Sequence, residues 1–414
     1  MSETIIFQNA FLINGTGSDP IPDAVLVVCD GLIKEIITHG KKIKALKGRF
    51  IDLRGKTLMP GLIDAHVHPG NVEWNLSKTA ELPPAVYVHR VTRTLETDIN
   101  LGFTTLRDAA GLDAGFRAAI EQGLIRGPRL FLSVTPLTQP DEDSGDPGES
   151  PKKPSPRNSL GIYPEICAGP DEMCAAVRRT LNHGADQIKV FADGEVVAQS
   201  KTDRAKPGQV KFSIEELKVA VETADAAGSY VMAHTYCPEA IQNCLQAGVR
   251  SIEHGNLMDA ETARMMAEKK AFFVPTLTVY DLCAQEGREG LDAYTIEKLE
   301  IVAYKGLEAL EMAYQRGVKI GSGSDIIGPF QHLKGRELAL KAEVMTPMEA
   351  VVSATRTNAE LIGMADRFGT LEIGKLADLI VVDGNPLENL SLFEHALKQV
   401  VLVMKQGKIM KDIM

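Results

Sequence analysis

The chain has 414 residues, of which 44% are hydrophobic, 24% charged and only 5% aromatic, with a formal net charge of -10. This composition suits a globular protein with a solvated surface and room for one large domain and one small one. Acids and bases are interspersed with no basic stripe, which argues against nucleic acid as a partner. No apolar run approaches the ~20 residues that span a bilayer.

The opening Met1-Ser2-Glu3-Thr4 lacks the basic and apolar regions of a secretory leader. Six cysteines over this length do not form a disulfide framework, and Cys167 and Cys174 lack the CxxC spacing of a zinc knuckle. A reducing cytoplasm is the expected compartment.

Residues 1–58 read as short β-rich runs (4–8, 24–29, 32–37) punctuated by Asn14-Gly15, Asp30-Gly31 and Gly55-Lys56. The last forty-odd residues have the same character, with runs at 377–382 and 399–404. Neither end can bury a core alone. Residues 1–58 plus 372–414 are therefore expected to pair as a small β-sandwich.

Between them, 59–371 alternates short apolar runs with amphipathic stretches. Strands are expected at 62–66, 104–108, 130–134, 188–192, 231–235, 251–254, 272–276 and 319–323. Helical patterns include 214–227, 238–247, 260–269 and 299–316. Eight strands separated by helices predict an α/β fold, a (β/α)8 TIM barrel. A doubly wound open sheet is the alternative, but no G-x-G-x-x-G follows any of these strands. Residues 136–170 break the pattern, being rich in Pro, Asp, Glu, Ser and Lys. They follow the third strand, so in a barrel they form a long loop on the catalytic face, expected to be a partly ordered lid.

Catalytic groups of a barrel sit at the C-terminal ends of its strands. The first strand delivers His66-Val67-His68, whose histidines share one face because side chains alternate along a strand. The fourth carries Lys189, the fifth ends in His234, the sixth in His254, and the eighth leads to Asp325. Any one strand-end histidine is most simply a hydrogen-bonded core or surface residue. The chain has nine, however, and four fall at these ends, which favours a metal site. The others (His39, His89, His183, His332 and His395) fall in loops or helical patterns and read as structural or exposed. Lys189, between Ile188 and Val190, is costly to bury charged. It is either a snorkelling or ion-paired lysine, or a neutral amine able to capture carbon dioxide as a carbamate.

These residues resemble the amidohydrolase superfamily. Several phrases are similar to its prolidase-like, imidazolonepropionase-related branch: Met59-Pro60-Gly61-Leu62-Ile63-Asp64-Ala65-His66-Val67-His68, Gly184-Ala185-Asp186-Gln187-Ile188-Lys189, Ser251-Ile252-Glu253-His254-Gly255-Asn256 and Val274-Pro275-Thr276-Leu277. The closing Gly374-Lys375-Leu376-Ala377-Asp378-Leu379-Ile380-Val381-Val382-Asp383 fits the superfamily too. The branch includes dipeptidases acting on Xaa-Pro or Xaa-Arg/Lys and amidases of the ochratoxin-hydrolysing type. The resemblance implies two divalent metal ions, most simply zinc, with manganese, iron or cobalt also compatible with such ligands. His66, His68 and Asp325 would hold the buried ion, and His234 and His254 the exposed one. Carbon dioxide, as a carbamate on Lys189, would bridge them together with a hydroxide that attacks the substrate amide. Asp325 would relay the proton to the leaving amine. Tyr236, two residues after His234, would either steady the oxyanion or simply pack. Association into a homo-oligomer is also expected.

Two places depart from the branch. The turn after strand three reads Ser133-Val134-Thr135-Pro136-Leu137-Thr138-Gln139-Pro140-Asp141, without the usual Gly-Gly-His. The strand-four exit reads Asp193-Gly194-Glu195-Val196 instead of Gly-Gly-Val. Both line the expected pocket, so the metal chemistry is better defined than the substrate. The leading expectation is cleavage of an amide in a small molecule such as a dipeptide or N-acyl amino acid. Alternatives are a cyclic amide, urea or carbamate as substrate, a mononuclear deaminase (which needs no bridging lysine) or a non-catalytic scaffold. Asp141, Glu142, Asp143, Asp146 and Glu149 in the lid would suit a cationic substrate or a merely solvated face, and Arg157 would suit a substrate carboxylate.

Overall fold

The computed structural model describes residues 4–38, 47–74, 76–139, 164–194, 196, 208–285 and 293–414. All eight expected central strands are present: Leu62–Val67, Phe103–Asp108, Arg129–Leu132, Ile188–Phe191, Val231–Thr235, Ser251–His254, Phe272–Val274 and Lys319–Ile320. Their pairings are parallel throughout. They form two ladders, one of the first three strands and one of the last five.

Backbone hydrogen bonds join the ladders at both seams. At one seam, Leu132 O accepts from Asp186 N at 2.6 Å, and Leu137 pairs with Val190. At the other, Ala65 N donates to Ser322 O and Asp325 N to His66 O, each at 2.8 Å. The eight strands therefore close on themselves, which decides for the closed barrel over the open sheet.

Side-chain bonds reinforce the second seam. The Asn358 amide donates to Ile63 O (2.7 Å) and Ser322 O (2.8 Å) while its oxygen accepts from Ser322 N at 3.0 Å. Asp64 accepts from the amides of His66 and Ser324 and from the Ser324 hydroxyl. Both side chains are buried, so every bond replaces one that water can no longer supply.

Helices follow the strands as expected. Ile214–Asp225 begins with a capping box between Ser213 and Glu216. Pro238–Ala247 places proline at its first turn and ends on Gly248 in the left-handed conformation, φ 94°. The single helix expected over 299–316 is instead broken into Ala293–Val302, a 3-10 turn Ala303–Lys305, and Gly306–Gln315. The Asn256 amide takes the Val302 carbonyl at 3.1 Å, drawing it out of the helical ladder. A Cβ at position 306 would also press on Leu277 at 2.9 Å, so a glycine stands where the chain turns.

The two ends of the chain share one sheet. Thr57–Pro60 pairs with Leu379–Val382, and that strand pairs with Val400–Lys405. Ile5, Phe7 and Leu12 from the front then sit in one apolar cluster with Leu379, Val381 and Leu402 from the back. Among the described residues no helix is long and apolar enough to cross a membrane. Among the described residues the cysteines form no disulfide. Of the expected lid, 140–163 lies outside the described residues, along with Asp141, Glu142, Asp143, Asp146, Glu149, Arg157 and Glu195. The lid's flanks meet, because Leu137–Thr138 pairs in parallel with Glu165–Ile166.

Candidate active site

His66, His68, Lys189, His234, His254 and Asp325 all line one cavity at the C-terminal ends of the strands. Tyr236 lines it too, with Asn71, Phe191, Val279, Tyr280, Cys283, Leu299 and Ile327 among the remaining wall. The other histidines behave as the pattern implied: His89, His183, His332 and His395 are exposed, and His39 lies outside the described residues.

His66, His68 and Asp325 are the tightest group. Each offers a ligand atom within 4.8 Å of the others. Asp325 Oδ1 lies 3.2 Å from His68 Nε2 and 3.5 Å from His66 Nε2. Lys189 Nζ is 3.3 Å from the same His66 nitrogen, with the lysine 1% exposed. On the other side, the His234 and His254 rings lie 4.4 Å apart between centroids, and His254 is 4.9 Å from His66. Both His234 Nε2 and His254 Nε2 are buried without a hydrogen-bond partner among the described residues.

The rings are held from behind. His66 Nδ1 meets Glu253 Oε2 at 2.8 Å, His68 Nδ1 meets Ala110 O at 2.9 Å, and His254 Nδ1 meets Thr276 Oγ1 at 2.7 Å. Such contacts orient an imidazole and leave its other nitrogen for the cavity. Glu253 is in turn gripped by Arg107, whose Nη2 reaches both carboxylate oxygens at 2.8 and 3.0 Å, and by Ser251 Oγ at 2.6 Å.

Burial keeps most of these imidazoles neutral. It drives His66 and His234 well below the usual histidine range, helped by neighbouring positive charge, and brings His254 to about 3. His68 moves the other way. Burial lowers it, but the hydrogen bond and charge of Asp325 outweigh that and raise it, and the same contact lowers Asp325 against its own burial. Asp193 and Asp108, both buried beside the site, are each pushed up to about 7 by burial.

The backbone is strained at this rim. Val134, His254, Thr276 and Asp325 have φ of 57°, 73°, 49° and 54°, a region non-glycine residues rarely occupy. Sequence reading missed this strain. It also missed Arg107, Glu253, Asp193 and Thr276 as supports, although Arg107 and Glu253 are charged residues inside expected strands, each directly after an apolar residue. At the two departures, Ser133 bonds back to Asp108 O at 2.9 Å, and Asp193 turns its carboxylate onto the exit of the fifth strand.

Comparison with known proteins agrees with this geometry. The Amidohydrolase family profile matches residues 57–410. Ochratoxinase of Aspergillus niger is 32% identical over 423 residues, covering 99% of this chain and 86% of that protein. A crystal structure of an amidohydrolase superposes with a TM-score of 0.92 at 40% identity, covering 99% of both chains. A prolidase crystallised with N-methylphosphonate-L-proline gives 0.92 at 35% identity, covering 99% of this chain and 100% of that one. With these relatives and this clustering of histidine, lysine and aspartate, the chain belongs to the amidohydrolase family, in its prolidase-like branch, and is a hydrolase acting on C–N bonds.

Proposed function

We propose that this protein hydrolyses the amide bond of a small N-acyl amino acid or dipeptide at a binuclear metal centre. The observation that carries the reading is the convergence of four histidines, Lys189 and Asp325 on one buried cavity. The donor set fits divalent metal. It is made of nitrogen and carboxylate oxygen, three imidazoles are held neutral, and two of their nitrogens are buried with no partner among the described residues, an arrangement costly without a ligand. His66, His68 and Asp325 would hold one ion, and His234 and His254 the second, with zinc the simplest occupant. Lys189 as an ammonium adds unfavourable positive charge beside His66. As a carbamate it would carry negative charge, which would remove that conflict and add a carboxylate oxygen to the donors that would hold metal.

Bound divalent ions supply a Lewis acid for the carbonyl and activate water at neutral pH. Asp325, ionised and at the mouth of the buried group, accepts the proton of the attacking water and returns it to the leaving amine. Tyr236 accepts a hydrogen bond from Tyr280 at 3.0 Å, which polarises its own O–H toward a developing oxyanion.

The prolidase and ochratoxinase likenesses support an amide with a proline or other amino-acid leaving group. Among the described residues the wall beyond the metal ligands is mostly apolar, with no acidic side chain to recruit an Arg or Lys substrate. Residues 1–58 with 372–414 form the small β-sandwich, and 59–371 the catalytic barrel. The apolar cluster joining the two termini supports that division.

The test is metal content per chain on protein prepared without chelator, with a hydrolysis screen over N-acyl amino acids and dipeptides. Two equivalents with amide turnover are expected, and Lys189→Ala should lose both turnover and the second equivalent. One equivalent with ammonia release would replace this reading with a deaminase.

A further inference from the structure

We infer that Asp193 is the positioning residue for the Tyr236 side of the site, an inference that rests on the amide-hydrolase reading above. Asp193 lies just past the strand Ile188–Phe191 and is fully buried. Its Oδ2 accepts three hydrogen bonds from the exit of the neighbouring strand: Tyr236 N at 2.7 Å, Cys237 N at 3.0 Å and Thr235 Oγ1 at 3.3 Å. Those amides belong to the turn that leads from the strand bearing His234 into the helix Pro238–Ala247, where the helical ladder cannot satisfy them. Oδ1 has no hydrogen-bond partner among the described residues and stands 4.0 Å from His234 Nε2.

The clamp is itself anchored. Asp193 bridges Val210, Gly194 N donates to Gln209 O at 3.0 Å, and Lys211 N donates to Ala192 O at 2.9 Å. The carboxylate is thus fixed by its own backbone on one side and grips the Tyr236-Cys237 turn on the other. The Tyr236 ring then lies 5.4 Å from His254, nearly parallel at 28°, and edge-on to His234 at 4.8 Å. Small rotations of that turn would swing the phenol away from the cavity. A displacement of about 1 Å can cost on the order of 10²-fold in rate.

Three variants and two readouts test this. Asp193→Ala removes the clamp, Asp193→Asn keeps an oxygen for both amides, and Tyr236→Phe removes the hydroxyl. By hydrogen exchange, the amides of Tyr236 and Cys237 should open faster in Asp193→Ala and stay protected in Asp193→Asn, with the flanking strands unchanged. On the metal-loaded enzyme with an N-acyl amino acid probe, Asp193→Ala should lower kcat by about 10²-fold with KM little changed. Asp193→Asn should recover most of that loss. In the Tyr236→Phe background Asp193→Ala should add nothing, because both changes remove one interaction. Unchanged exchange at the two amides, additive losses, or loss of bound metal in Asp193→Ala would each overturn the inference. If the wild type cleaves no amide, the functional reading fails separately, and the exchange measurement still decides the clamp.

Discussion

Glu253 illustrates how much of this site depends on groups that never reach the cavity. It holds His66 Nδ1 and is held by Arg107 and Ser251, all fully buried. Replacing one member of a buried charge pair leaves the other uncompensated, which typically costs about 3–5 kcal/mol. Losing an outer partner of a metal-ligating histidine weakens metal affinity by roughly 10–100-fold. Glu253→Gln should therefore lower the unfolding midpoint and release metal to a chelator sooner than wild type. Thermal unfolding and chelator competition check the two effects separately. A variant as stable and as metal-retentive as wild type would show that Arg107 and His66 find other partners.

At the scale of the element, the barrel seam is the vulnerable place, because the first and eighth strands are linked by few backbone bonds. Asn358 compensates from outside the sheet, with both its amide and its oxygen on that seam. Asn358→Ala removes three hydrogen bonds and strips a partner from Ile63 O and Ser322 N, while Ser322 O keeps Ala65 N, at about 1–3 kcal/mol for each buried group left unpaired. Denaturant unfolding should show a loss of several kcal/mol with the fold retained. Gly323 tests the same seam sterically. A Cβ there would meet the His66 Cβ at 2.6 Å and Val274 Cγ1 at 2.6 Å. Gly323→Ala is expected to displace His66 and reduce metal content more than it reduces secondary structure, as metal analysis and circular dichroism would show. Full metal loading in that variant would mean the strands separate without moving the histidine.

For the whole molecule, the proposed metal site would couple ligand to fold. A metal bound only by the native state adds stability that grows with the logarithm of its excess, about 2.7 kcal/mol at a hundredfold over Kd. Chelation should lower the melting temperature, and re-addition of divalent metal should restore it together with activity; the ion that restores both identifies the natural occupant. The terminal sheet contributes in another way. Arg129 of the third barrel strand pairs with Asp378 at 2.7 Å, tying the barrel to the segment that enters the last strands. Removing 400–414 would strip Leu402 and Met404 from the shared cluster and leave Leu379–Val382 with an open edge. Such a truncation is expected to be insoluble, and expression tests would show it.

Much of this was legible in the residue order, for a physical reason. Strand and helix periodicity, Gly and Pro punctuation, and the placement of His66, His68, Lys189, His234, His254 and Asp325 on, at the end of or just after strands are local properties, and locality is what a linear pattern encodes. The same pattern could not show that the sheet closes, since that depends on hydrogen bonds between residues as distant as Ala65 and Ser322. Nor could it pair Glu253 with His66 and Arg107, break the helix at Val302 through Asn256, or turn Asp193 onto Tyr236. Buried polar groups take whichever partner the fold brings within about 3 Å. The sequence determined which chemistry is available, and the tertiary structure alone decided which side chains orient it.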